Sequence, residues 1–270
     1  MATSLDCVGI LASTAEDCGW IFDALVGRDE RDATSVAYWN AEASSDTTPL
    51  RVGVVDGFGE ELAGDVLAAY KHAAEDLKQA GAIVETVSLP YPRLALAAYT
   101  VIAAAEASSN LARYDGIRYG RRSEGEATLS ASYDRCRAEG FGEEVKRRIL
   151  LGTYCLTGEA RDGYYKRALA ARKYITGKMS EMFFSVDFVF MPVSVDIAPK
   201  FELLDKKTPT ERYLDDCYCV ISNLAKIPSL SLPVCRGREG MPVGIQILAD
   251  EGFDARLLAF GGALERGGKT

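Results

Sequence analysis

Leu50-Arg51-Val52-Gly53-Val54-Val55, then Leu62 through Ala80, then Ala82-Ile83-Val84-Glu85-Thr86-Val87-Ser88-Leu89 closed by Pro90, is the stretch that decides the fold. The first run is short and β-branched, so it predicts a strand. Leu62, Val66, Ala69, Tyr70, Ala73 and Leu77 then recur at helical spacing, and Gly81 stops that helix. The third run is a second strand. Strand, amphipathic helix, strand within about 40 residues predicts a βαβ unit. Its strands must be parallel, because a crossover of this length returns the chain to the same end of the sheet.

Working outward, residues 13–26 predict a helix. Ser13-x-x-Glu16 fits a capping box, and Ala15, Cys18, Ile21, Phe22 and Leu25 share one face. Residues 28–49 are polar and turn-rich, a surface loop. On the other side, 93–113 is Ala-rich and helical. The stretch 114–140, with Gly116, Gly120 and Gly125, reads as loop with short helices, and 141–183 as a long helical stretch. Ser185–Met191 is a buried-type strand, 196–210 a polar loop and 211–226 a helix. Ser229–Val234 and Val243–Leu248 form an antiparallel hairpin, and Asp254 caps a last helix. Helices alternating with mostly parallel strands give an α/β class, and 270 residues suffice for one large domain or two small ones.

The 270 residues carry 48% hydrophobic and 26% charged side chains, an ordinary globular balance. No stretch approaches the roughly 20 apolar residues of a membrane span, so no membrane association is expected. The start has no secretory or transit pattern, which predicts a cytoplasmic protein, or a mitochondrial or plastid matrix protein in a eukaryote. A net charge of −8 argues against direct nucleic-acid binding. The basic runs Arg118–Arg122 and Lys146–Arg148 are flanked by acids and read as solvated helix faces. Seven scattered cysteines, with only Cys217 and Cys219 close, suggest reduced thiols rather than zinc or disulfides. The one histidine, His72, sits on a helical pattern and faces solvent. Any Ser-His-Asp triad or multi-histidine metal site would have to be built around it. There is no phosphate loop, no Gly-x-Gly-x-x-Gly and no Gly-x-Ser-x-Gly elbow.

Several long blocks nevertheless resemble one family. They are Ser4-Leu5-Asp6-x-x-Gly9 with Ala15-Glu16-Asp17 and the loop Asp29–Ser35, then Glu106–Gly120, Gly140–Tyr154, Asn223-Leu224-Ala225, Pro228–Pro233 and Pro242–Gln246. In order, and over nearly the whole chain, they are similar to the amidase-signature family. Within it they resemble the C-terminal part of the A subunits of the aminoacyl-tRNA amidotransferases. The resemblance implies a partial amidase-signature fold, an α/β architecture with a mixed β-sheet flanked by helices, and residues 1–270 as a single, N-terminally truncated domain. It implies a glutaminase that feeds ammonia to partner subunits B and C, which convert Glu-tRNA(Gln) or Asp-tRNA(Asn) to the amide form. In such an assembly the partner uses ATP and Mg and holds the tRNA, and no cofactor falls to this chain. The family's Ser-cis-Ser-Lys machinery lies in segments that precede the Ser4-Leu5-Asp6 equivalent, so no catalytic residue is carried over and the isolated chain is expected to be inactive.

Three substrate-binding positions do match. Tyr99 corresponds to a tyrosine lining the glutamine pocket, Arg148 to an arginine that holds the α-carboxylate, and Asp216 to an aspartate that holds the α-ammonium. The chemistry suits a free amino acid, since a guanidinium fork grips a carboxylate and a carboxylate grips an ammonium. Taken alone, each residue has a plainer reading: core packing for Tyr99, a surface cation for Arg148, an exposed acidic pair for Asp215 and Asp216. The sequence departs from the family at Lys226, where Gly is usual, at Ile221, where Pro is common, and over residues 157–163. A second reading stays open, a catalytically inactive amidase-like subunit kept for structure or interaction. A third is a different amidase of the same family acting on another small amide.

Overall fold

The computed structural model describes residues 1–36, 49–58, 62–89, 92–122, 125, 128–215 and 217–267. Much of the 28–49 loop reading, and Pro90, therefore fall outside the described residues. In chain order the elements are α1 (Ala15–Leu25), β1 (Arg51–Val55), α2 (Gly64–Gln79), β2 (Ile83–Val87), α3 (Pro92–Asn110), α4 (Leu129–Gly140), α5 (Glu143–Leu156), α6 (Gly158–Ala160), α7 (Lys166–Phe183), β3 (Phe188–Pro192), α8 (Phe201–Leu204), α9 (Pro209–Asp215), α10 (Val220–Ala225), β4 (Ser229–Arg236), β5 (Pro242–Ala249) and α11 (Asp254–Gly267). They group into two compact units. One comprises Met1–Cys7 and Ala97–Tyr174, the other Val8–Leu96 and Ile175–Thr270.

The second unit holds the whole sheet, in the order β2-β1-β3-β5-β4. β1 pairs parallel with β2 and with β3, while β5 runs antiparallel to both β3 and β4. The mixed α/β class, the parallel βαβ unit and the C-terminal hairpin are as the sequence predicts. β3 is buried at all five positions, the mark of a strand covered on both faces. Beneath it, the buried Tyr70 hydroxyl of α2 reaches the carbonyls of Val55 (2.7 Å) and Phe190 (3.0 Å). Its ring stacks on Phe190 at 5.6 Å and meets Phe58 edge-on. Burial pushes the Tyr70 phenol well above its ordinary value, so the hydroxyl keeps its proton. On α11, Phe260 stacks on Phe188 at 4.4 Å, and Arg256 pairs with Asp187 at 2.9 Å.

The N-cap of α1 is Thr14, not Ser13. Its Oγ1 accepts the Asp17 amide at 3.0 Å, one residue later than the capping box predicted. The β3 strand starts three residues later than its β-branched run suggested. Ser185 and Val186 instead donate to the Met182 carbonyl and finish the turn after α7. The predicted 211–226 helix is two, α9 and α10, and α8 lies in the predicted polar loop. Lys226 caps α10 in the left-handed region, with φ 60° and ψ 45°. That conformation explains why glycine suits the position, since a Cβ strains it.

In the first unit, the Ser4 amide and hydroxyl donate to Glu106 at 2.8 and 2.5 Å. Arg172 donates to the Ser4 hydroxyl and carbonyl at 2.6 and 2.7 Å. These bonds tie the first residues to α3 and α7. By length and composition Pro92–Arg113 is long and apolar enough to cross a membrane, contrary to the sequence reading. Its buried positions Ile102–Ala105 and Ala107 mark it as a packed helix. The region 114–140 contains a full helix, α4, which no apolar stripe announced because none of its residues is buried. Thr128 caps it by accepting the Ala131 amide, Arg135 and Glu139 pair across one turn at 2.8 Å, and Arg137 donates to the Leu111 carbonyl at 2.9 Å. The predicted long helix over 141–183 is interrupted. Thr157 is extended, Gly158 has φ 47°, and Arg161–Tyr165 form a π-helical turn.

Asp115 organises the turn after α3. It accepts the amides of Ile117 (2.9 Å) and Arg118 (3.0 Å) and pairs with the Arg118 guanidinium. These bonds, the Ile117 amide first, pull its carboxyl down to about 2. A depressed acid stabilises the fold above its unfolded value and loses that contribution as pH falls through the folded one. The turn's contribution should be complete above about pH 4 and vanish towards pH 2. The pH dependence of the unfolding midpoint, compared with Asp115→Asn, checks this, and the variant should flatten the curve in that window.

Two backbone positions give opposite expectations. A Cβ on Gly152 of α5 would overlap the Ala104 carbonyl of α3. Gly152→Ala should therefore destabilise by about 1–3 kcal/mol despite alanine's better helix propensity. Gly177→Ala in α7, whose Cβ meets open space, should stabilise by about 0.5–1 kcal/mol. Lys226→Gly should also stabilise, by about 1 kcal/mol, because it removes left-handed strain. Denaturant midpoints of the three variants measure all of this.

Candidate active site residues

Tyr99 and Arg148 lie on the two helices that Gly152 brings into backbone contact. Tyr99 is half-buried on α3, one turn after the buried Ala95 and one before the buried Ile102 and Ala103. Arg148 is half-buried on α5, one turn before Gly152 and two before the buried Cys155. Positions 148, 152 and 155 share a helical face, so Arg148 projects from the side of α5 that approaches α3. The close approach needs a residue without a Cβ on α5 and small ones on α3, supplied by Ala103-Ala104-Ala105.

The Arg148 guanidinium is held within its own helix. Its Nε donates to Glu144 Oε1 at 2.9 Å, and its side chain is 25% exposed. Glu144 also pairs with Arg147, and Glu143 with Lys146 at 3.2 Å. Both acids occupy the first turn of α5, where the helix dipole favours them. The basic run Lys146–Arg148 is thus a ladder of one-turn ion pairs, and only Arg148 of the three also sits on the packing face. Asp216 lies outside the described residues. Its neighbour Asp215 ends α9 and accepts Lys207 Nζ at 2.6 and 2.9 Å, so that carboxylate is engaged in a structural pair rather than lying open.

The remaining chemistry-bearing groups are quiet. His72 is a solvent-facing residue, 3.8 Å from Asp76 on the same helix. All seven cysteines are free thiols. Burial pushes the Cys155 thiol up. Burial, and then the Asp65 carboxylate, do the same for Cys235. Neither has the depressed pKa of a nucleophile. Among the described residues no group of three His, Cys, Asp or Glu side chains is placed to hold a metal.

Sequence reasoning missed two features. One is the Ser4–Glu106–Arg172 cluster. Its members fall inside or near the quoted motifs, but they are 102 and 168 residues apart, so no local pattern announces it. The Ser4 hydroxyl both donates to Glu106 and accepts from Arg172, the saturated state of a structural tie. The other is a cleft of about 620 Å³ at the C-terminal end of β1, lined among others by Asp56, Gly57, Phe58, Lys71, Glu75 and Thr86. Among the described residues, neither Tyr99 nor Arg148 lines it.

Comparison with known proteins places this geometry. The chain is 39% identical over 262 residues to the A subunit of a glutamyl-tRNA(Gln) amidotransferase of Neisseria meningitidis, covering 95% of this chain and 54% of that protein. It is 43% identical over 263 residues to the protein of the same name in Chromohalobacter salexigens, covering 95% and 53%. The crystal structure of the glutamyl-tRNA(Gln) amidotransferase A subunit from Thermotoga maritima superposes with a TM-score of 0.72 at 29% identity, over 95% of this chain and 52% of that one. The chain therefore spans about half the length of these relatives, and corresponds to their C-terminal part. The mixed five-stranded sheet with its flanking helices is the part of the amidase-signature fold that they share with it. The amidase family model matches residues 1–258, and the chain belongs to the amidase family.

Proposed function

We propose that this chain provides the glutamine-binding side of the A subunit of an aminoacyl-tRNA amidotransferase, the part that hydrolyses glutamine and supplies ammonia. The observation that carries the reading is the identity of about two residues in five, along 95% of the chain, to proteins named as glutamyl-tRNA(Gln) amidotransferase A subunits. Arg148 would take the α-carboxylate of glutamine. Glu144, bound to its Nε at 2.9 Å, ties the side chain to the first turn of α5. Tyr99, from α3, would line the pocket, and Asp216 would take the α-ammonium. Together the two charged groups select a free amino acid over a bare amide, because only the former presents both an anion and a cation.

In this reading the acyl transfer uses a Ser-cis-Ser-Lys set from the half of the fold that the relatives have in addition. A lysine takes the proton of a bridging serine, and that serine takes the proton of the nucleophile. The nucleophile then attacks the glutamine side-chain amide, forming an acyl-enzyme and releasing ammonia. The ammonia passes to subunits B and C, where ATP and Mg activate the mischarged Glu-tRNA(Gln) or Asp-tRNA(Asn).

Arg148→Lys in the assembled enzyme tests the assignment. A point charge cannot reproduce two parallel hydrogen bonds, which are worth about 1.5–3 kcal/mol when charged. The glutamine KM should rise about 10- to 100-fold. The reaction driven by added ammonium chloride should be unchanged, because it bypasses glutamine binding. An unaltered glutamine KM would remove Arg148 from the pocket. Loss of the ammonium-driven reaction as well would point to a structural role.

A further inference from the structure

The βαβ unit carries a cleft that the expected glutamine site does not use. It measures about 620 Å³, inside the roughly 300–1,000 Å³ span of small-molecule sites. It lies at the carboxyl end of β1, against α2. β1 is where the order of the sheet reverses, with β2 on one side and β3 on the other, both parallel to it. Parallel sheets take their ligands outside the carboxyl ends of the strands, near such a reversal. Every described residue lining the cleft falls between Val54 and Thr86, within one compact unit. The cleft therefore owes nothing to Tyr99, to Arg148 or to the other unit.

Its inner wall is apolar. Phe58 and Tyr70, 6% and 4% exposed, meet edge-on at 5.5 Å. Leu67 and Ala74 flank Tyr70 on the same face of α2. The rim is charged, and its residues Asp56, Lys71, Glu75 and Lys78 are exposed. Glu75 and Lys78 neutralise each other at 3.1 Å. Asp56 and Lys71 have no such match. Asp56 Oδ1 accepts the amide of Gly57 at 2.6 Å, in a turn that Gly57 permits with φ 91°. No cation pairs with that carboxylate among the described residues, and Lys71 makes neither a hydrogen bond nor an ion pair with any of them. After burial, the Asp56 charge adds to the rise of the Tyr70 phenol, which places the carboxylate beside the aromatic wall.

One unmatched anion and one unmatched cation on the rim of one apolar slot suit a ligand that carries both charges and an apolar body. We propose that this cleft binds a free amino acid with an aromatic or branched apolar side chain, its ammonium at Asp56, its carboxylate at Lys71 and its side chain on Phe58, Leu67 and Tyr70. A ligand with only a negative charge meets Asp56, and one with only a positive charge meets Lys71, so the rim rejects both. Glutamine is disfavoured too, because its amide would lie against the apolar wall without a partner. The site is separate from the one assigned to glutamine and does not rest on the glutaminase reading.

L-Phenylalanine is the probe, titrated by calorimetry into this chain. The expected result is one site per chain with a Kd of about 1 mM or tighter. Hydrocinnamate, which lacks the ammonium, and phenethylamine, which lacks the carboxylate, should each bind at least about ten-fold more weakly. That preference is read on the parent chain and needs no variant to fold. Asp56→Asn should weaken L-phenylalanine about ten-fold and erase its advantage over hydrocinnamate, and Lys71→Gln should do the same against phenethylamine. Arg148→Lys should bind L-phenylalanine as the parent does. Absence of saturable binding up to about 10 mM would overturn the proposal. So would binding that Asp56→Asn and Lys71→Gln leave unchanged, or that Arg148→Lys weakens, which would put the ligand in the glutamine pocket.

Discussion

The fold turns on β3. It is the strand at which the sheet changes direction, parallel to β1 on one side and antiparallel to β5 on the other. Being buried at every position, it can carry no charge and must send its backbone groups into ladders or to side chains brought to meet them. Two groups outside the strand hold it in place. At its start Asp187 exchanges bonds with the Arg51 backbone at 2.8 Å in both directions and anchors Arg256 of α11. At its end the Tyr70 hydroxyl spans the carbonyls of β1 and β3. Removing the partners of the Tyr70 hydroxyl would leave a buried polar group unsatisfied, a larger loss than the hydrogen bond itself.

The parallel pairing of β1 with β3 also sets the chain's route. A parallel neighbour cannot be reached by a tight turn. The connection from β2 at Val87 to β3 at Phe188 runs for roughly 100 residues, and the segment Ala97–Tyr174 inside it builds a compact unit of its own. Tyr99 and Arg148 both belong to that excursion. The sheet thus supplies the frame, while the two expected binding residues sit on helices carried by a crossover. That is the usual division of labour in α/β proteins, where connections bear function and the sheet bears stability.

What could be read in advance follows from how local each determinant is. β1, α2, β2, β4 and β5 were legible because short β-branched runs, helical spacing and flanking Gly or Pro announce them within a few residues. The start of β3 was misplaced by three because Ser185 and Val186 read as part of the strand's run but donate to the Met182 carbonyl and finish the turn after α7. α4 was invisible because a cap, an ion pair and one arginine hold it, with no apolar stripe. The αL strain at Lys226 was foreshadowed only by the family's usual glycine there. Tyr99 and Arg148 could not be singled out from residue type at all, and the resemblance alone marked them. Gly152 was part of a quoted block, yet its role as the point where α5 meets α3 appears only when the Ala104 carbonyl is in view.

The break after α5 shows how size overrules periodicity. One helix through residues 143–183 would be about 60 Å long at 1.5 Å per residue, twice the width of a small domain. No compact unit could bury its apolar stripe along that length. Gly158, at φ 47°, ends α5 soon after Gly152, and the π-helical turn Arg161–Tyr165 starts the chain again. Tyr164 from that turn packs on Tyr154 of α5 at 6.0 Å, so the break is fastened to the helix it ends. The benefit is geometric. α5 is left just long enough to carry Arg148 and Gly152 against α3, and α7 is free to bring Arg172 to Ser4. The departure from the family pattern at residues 157–163 falls on this joint. Arg148 and Gly152 lie outside that segment, on α5.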